Sequence, residues 1–107
     1  MIVATTDSLP GYRLVRYVGL ARGCAVRGAS AQEDLLAIMK NQLGGEVHEY
    51  TQILAAAREQ AIDRLIDDAR SLGANAIVGL RLGSSDIGSG LAEVIAYGTA
   101  VVAEKSG

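Results

Sequence analysis

Leu65-Ile66-Asp67-Asp68-Ala69-Arg70-Ser71-Leu72-Gly73-Ala74-Asn75-Ala76-Ile77-Val78-Gly79-Leu80-Arg81-Leu82 is the stretch that decides the fold, because its apolar period changes at Gly73. Before the glycine, Leu54, Ala57, Ala61, Ile62, Leu65, Ile66, Ala69 and Leu72 recur at the spacing of one helix face. After it, the pattern reads as a strand, with Ala76, Val78, Leu80 and Leu82 on one face and Asn75, Ile77, Gly79 and Arg81 on the other. Gly73 is the expected helix stop, since glycine takes a left-handed conformation at little cost. The helix runs back to Gly44-Gly45-Glu46. Arg64 stands three and four residues before Asp67 and Asp68, so ion pairs are expected there.

Downstream, Gly83 to Gly90 reads as a polar hairpin loop, followed by a strand over Glu93–Val102. That strand is apolar on both faces: Val94, Ala96, Gly98, Ala100 and Val102 alternate with Ile95, Tyr97, Thr99 and Val101. Upstream, a short strand over Ile2–Thr6 leads through a Pro10-Gly11 turn into a long strand from Tyr12 to Val26. There Val15, Tyr17, Gly19 and Ala21 are expected on one face, Leu14, Val18 and Leu20 on the other, with Gly19 and Gly23 marking bends or bulges. Ser30-Ala31-Gln32-Glu33 has the form of a capping box ahead of a first helix carrying Leu35, Leu36, Met39 and Leu43. One helical layer covers one sheet face, so the other face is expected to be buried by a neighbouring copy.

At 107 residues the chain is read as a single domain, 1–107. It has no Phe and no Trp, four tyrosines and 13 glycines, a composition that favours close approach of elements over bulky burial. A net charge of −2 without a dense basic cluster excludes a general nucleic-acid binder. No apolar run nears the roughly 20 residues that span a bilayer, and the N-terminal residues do not read as a signal peptide. The single cysteine, Cys24, is expected as a small buried residue. A cytoplasmic protein with no nucleic-acid or membrane partner is the expectation.

Several strings resemble the YbjQ family, small bacterial proteins that carry a heavy-metal-binding label. They are Thr5-Thr6, Pro10-Gly11, Gly44-Gly45-Glu46 with Tyr50, Ala57-Arg58, Gly73-Ala74-Asn75-Ala76 and Ala96-Tyr97-Gly98-Thr99-Ala100-Val101, and they span nearly the whole chain. The resemblance implies an α+β fold in the order β-β-α-α-β-β, an antiparallel sheet with two helices packed on it, and a ring-forming homo-oligomer, commonly a pentamer. It implies no established activity.

The residues themselves support few chemistries. Soft metals need several convergent thiolates, and the chain has no Cys-x-x-Cys. A metal ion remains the candidate cofactor only through harder ligands: Glu46, His48 and Glu49 crowd the start of the long helix. Glu46 and Glu49 share a helix face and His48 does not, so convergence on one ion needs a second copy. Tyr50 and Tyr97 offer hydroxyls while their rings are expected in the core, and Arg58 is a candidate partner for a neighbour's carboxylate. Glu46, Tyr50, Arg58 and Tyr97 therefore form the candidate ligand site, where the Gly44-Gly45-Glu46 turn meets the last strand of the same or a neighbouring copy. No catalytic residue is marked: the lone histidine adjoins no nucleophile, and the glycine-rich loop lacks the Lys-Ser/Thr of a phosphate loop. The expected function is a homo-oligomeric binding or scaffold protein. The alternative is an enzyme with an active site shared across the interface.

Overall fold

The computed structural model describes residues 1–28, 48–86 and 91–107. The elements are β1 (Ile2–Val3), β2 (Tyr12–Arg27), α1 (His48–Ser71), β3 (Ala76–Asp86) and β4 (Ala92–Lys105). They form an α+β unit with one four-stranded sheet in the order β1-β3-β4-β2. The sheet is mixed: β4 is antiparallel to both β2 and β3, but β1 runs parallel to β3. The expected all-antiparallel sheet is thus corrected at one edge. Parallel pairing there follows from the connection, since the chain leaves β1, forms β2 at the far side, crosses back through the helix and enters β3 beside β1. The expected first helix, Ser30 to Leu43, lies outside the described residues, which contain a single helix.

The local chemistry of the turns is as read. Gly11 takes φ 85° in a turn closed by the Tyr12 N–H on the Leu9 carbonyl, 2.9 Å. Gly73 takes φ 88°, its N–H donates to Arg70 O at 3.0 Å, and the Ala74 N–H donates to Ala69 O at 3.1 Å. Those paired bonds are the Schellman closure that satisfies the last helical carbonyls. Asn75 follows, and its side chain takes the place of a strand partner: its Nδ2 donates to Ala103 O at 2.9 Å and its Oδ1 accepts from Ala103 N–H at 2.8 Å.

Three irregularities decide which side chains share a face. In β2 the register with β4 shifts between Leu14 and Arg16 and again between Tyr17 and Gly19; in β3 it shifts between Val78 and Arg81. Each bulge inverts the alternation beyond it. Tyr17 is therefore aligned with Val101 while Ala21 packs under the helix, which corrects the expectation that they share a face. Likewise Leu80 joins Ile77 on the helix side, while Ala76 and Val78 lie on the other. Gly79, with φ 64°, allows the β3 bulge. Gly19 sits at a bulge as read, whereas the register passes through Gly23 without one. Residues 83–86, expected in the loop, continue β3 and pair with residues 92–95 of β4.

The helix lies across β2 and β4. Its fully buried ridge is Ala57, Ala61, Leu65 and Ala69, four residues apart, and it meets Ala21, Ala25, Val94, Ala96 and Ala100 of the sheet. Gly23 completes that surface: a Cβ there would run into the Ala61 carbonyl and the Leu65 amide. A smaller cluster, Leu9, Ala76, Val78, Val101 and Ala103, closes the opposite face where β1 leads into β2.

Candidate functional site

The helix is tied down along the outer edge of β2 by polar side chains. Asp68 Oδ2 accepts from the Arg22 backbone N–H at 3.0 Å, Arg64 Nη1 donates to the Cys24 carbonyl at 2.6 Å, and Arg27 Nε donates to Gln60 Oε1 at 3.2 Å. The expected Arg64–Asp67 and Arg64–Asp68 pairs are replaced by these contacts, and Asp67 instead faces Arg70 at 3.8 Å. The reason is that unpaired strand-edge groups offer firmer partners than an exposed intrahelical ion pair.

On the β3 side the first half of α1 and the distal half of β3 leave an open cleft of about 350 Å³. Val94 lies at its base, Leu54, Ala55 and Leu82 make its apolar walls, and Thr51, Arg58 and Ser84 supply the polar groups. Arg58 pairs with Glu59 of its own helix at 3.2 Å, with both side chains largely exposed. Beyond the point where β1 ends, no described strand borders the outer edge of β3. Arg81 marks that end, donating through Nη1 to the Thr5 carbonyl at 3.0 Å, and the Gly79 N–H donates to Thr6 O at 2.8 Å.

The sheet face turned away from the helix is the second candidate surface. The cross-strand row Arg22–Tyr97–Arg81 crosses it, flanked by Cys24 beside Ile95 and by Leu20 beside Thr99. Tyr17 is 67% exposed, Leu20 59% and Tyr97 45%, and Val26 and Ile95 are exposed too. Two expectations are corrected here. The Tyr97 ring lies outside the core, and Cys24 is exposed rather than buried. The cause is common to both: the helix packs on the alternate residues Gly23, Ala25 and Ala96, which leaves Cys24 and Tyr97 on the far side.

Of the sequence-predicted ligand residues, Arg58 lies in the cleft and Tyr97 on the opposite face of the sheet, so one chain does not bring them together. Glu46 lies outside the described residues, and although His48, Glu49 and Tyr50 open the helix, their side chains do as well. Sequence reasoning missed Leu82, Ser84 and Val94 as cleft residues, because placing Leu82 and Ser84 on the helix side requires knowing the β3 bulge.

The fold and its motif positions define a small α+β class, and residues 1–104 match the YbjQ family, described as "Putative heavy-metal-binding". The chain belongs to that family. It is 50% identical over 98% of its length to a UPF0145 protein of Pyrococcus furiosus, covering 92% of that protein. A UPF0145 protein of Bradyrhizobium is 48% identical over 97% of this chain and 94% of its own. Among solved structures, a protein of unknown function from Pediococcus pentosaceus, of the DUF74 family, shares the fold with a TM-score of 0.60 at 18% identity, over 97% of this chain and 98% of that one.

Glu46 and the side chains of His48 and Glu49, the harder candidate ligands, lie outside the described residues. Among the described residues no three of His, Cys, Asp and Glu are grouped to hold an ion. Cys24 is aligned with Ile95 on an exposed face and supplies one sulfur per chain. Among the described residues no helix is long and apolar enough to cross a membrane.

Proposed function

We propose that the chain acts as a homo-oligomeric binding or scaffold module, the sheet face turned away from the helix buried between copies in a pentameric ring in the cytoplasm. The observation that carries this reading is the row of exposed apolar side chains on that face, Tyr17, Leu20, Val26, Ile95 and Tyr97. A contiguous apolar surface of this kind marks an interaction site. A partner identical in sequence meets the need of every copy at once. Small ligands, or an ion held through Glu46, His48 and Glu49, would bind where copies meet, with Arg58, Tyr50 and Tyr97 contributed from different chains. Multi-angle light scattering at micromolar concentration tests the assembly. The expected mass is about five times 11.1 kDa; a stable monomer overturns the reading.

A further inference from the structure

The polar residues that tie α1 to β2 fall on one line of the helix and follow the edge of the strand. Gln60, Arg64 and Asp68 are spaced four residues apart, so they project along one side of α1. They meet Arg27, Cys24 and Arg22 in that order, as the strand runs the opposite way. Two of these contacts take main-chain groups, the Arg22 N–H and the Cys24 carbonyl. In an antiparallel strand the N–H and C=O of every second residue point to the same side. Arg22 and Cys24 are related in this way, and their bonds to α1 lie on the side away from β4, where an added strand would pair. Among the described residues α1 caps no main-chain group of residues 12–20, so one half of β2 is closed by the helix and the other is open in that sense.

We infer that Arg64 and Asp68 guard the edge of β2, occupying the ladder groups at Arg22 and Cys24 so that no strand from a second copy of the chain is added there. An unblocked edge is a template for another chain. Two successive pairing positions are blocked here, one through its donor and one through its acceptor, and a strand added in either direction needs both. The choice of partners supports this role. Arg64 and Asp68 are placed to pair with each other on the helix surface, yet each is turned to the strand instead. The guarded segment, Arg22-Gly23-Cys24-Ala25-Val26-Arg27, contains no proline that would block addition by itself. The guard belongs to the single subunit and does not rest on the oligomeric reading.

The test removes the caps and then restores the block by other chemistry. A protein carrying Arg64→Met and Asp68→Leu keeps side chains of similar size at both positions without the caps. Under reducing conditions its mass by light scattering should climb with concentration to a multiple of that of the unsubstituted protein. Adding Cys24→Pro should return the mass to the unsubstituted value. Proline on the outward side of an edge strand removes a donor and bars a partner without touching the bonds to the inner neighbour. Leu65→Ala is the control for lost stability: it weakens the core but keeps both caps, and its mass should stay that of the unsubstituted protein. All masses are compared where circular dichroism shows every variant folded. An uncapped protein of unchanged mass overturns the guard. So does equal association of Leu65→Ala, or association that the proline leaves unchanged. Should the double substitution not fold, Arg64→Met and Asp68→Leu are read singly in the same way.

Discussion

The two faces of the sheet invert the usual relation between side-chain size and burial. Under the helix the sheet offers mostly small residues, Ala21, Gly23, Ala25, Ala96 and Ala100, beside Ile77 and Val94, and the helix answers with Ala57, Ala61, Leu65 and Ala69. The larger apolar groups, Tyr17, Leu20, Ile95 and Tyr97, are on the face that no described element covers. Small residues on both sides let backbones come close, so stability there comes from dense contact rather than from large buried areas. On the proposed reading, one side of the sheet serves the subunit and the other serves assembly.

The sharpest way to break this comparison is to make the same kind of truncation on each face. Leu65 is fully buried in the centre of the helix ridge, and Leu65→Ala should cost roughly 2–5 kcal/mol, because a close-packed site cannot collapse to fill the space. Leu20→Ala on the bare face should leave subunit stability within about 0.5 kcal/mol in urea titrations of the dissociated chain, yet shift the association equilibrium. Equal losses of subunit stability from the two changes would mean the faces do not divide the work. Gly23→Ala belongs beside Leu65→Ala. The added Cβ meets backbone atoms of Ala61 and Leu65, which cannot swing aside as a side chain can, so a loss at the upper end of roughly 1–3 kcal/mol is expected. Circular dichroism during urea unfolding would read it.

How far the sequence revealed this division depends on where period and bulge agree. The helix ridge, the Gly73 stop and the Pro10-Gly11 turn were legible because each rests on local chemistry: a period near 3.6, or a glycine at positive φ. That the last strand is apolar on both faces was legible as well. The assignment of residues to faces was not, beyond each bulge. A single extra residue inverts every later side chain, and nothing local in Leu14-Val15-Arg16-Tyr17-Val18-Gly19 says that the register shifts twice. The same blindness hid Leu82 and Ser84 from the candidate cleft, whereas Tyr97 was read into the core because its strand is apolar on both faces, and local sequence does not say which face the helix covers. The roles of Asp68 and Arg64 were missed for a different reason. Helical spacing marked them as partners of one another, while their true partners, Arg22 and Cys24, are over forty and about forty residues away respectively.

Those two side chains sharpen the comparison between the closed and open halves of β2. Asp68→Ala removes the acceptor for the Arg22 N–H, and a loss of about 1 kcal/mol is expected, a typical net value for one hydrogen bond. Asp67→Ala is the control one residue away. Among the described residues its carboxylate faces Arg70 alone, at 3.8 Å on an exposed surface, so its removal should change stability by no more than about 0.5 kcal/mol. The Arg22 amide should also exchange faster in Asp68→Ala and keep its rate in Asp67→Ala. If both substitutions leave that amide protected alike, the helix does not close the edge.

The smallest effect is expected at the open half, in the ion pair that joins β2 to β4. Arg13 Nη2 lies 3.0 Å from Glu104 Oε2, and the two residues are direct cross-strand neighbours. In isolation that geometry invites the view that the pair holds the end of the sheet. Exposure argues otherwise, since the side chains keep 73% and 57% of their accessible surface. Water screens the attraction, and fixing two long side chains costs entropy that offsets most of what remains. The backbone ladder and the buried Leu9, Val101 and Ala103 beside it hold the strands without the charges. Arg13→Ala should therefore lower subunit stability by no more than about 0.5 kcal/mol, with the deficit shrinking further as salt is raised. A larger change in association than in subunit unfolding would place Arg13 at a contact between copies. A salt-independent loss of subunit stability well above that figure would show instead that the pair is structural, and that the open half of β2 is braced as firmly as the half beneath the helix.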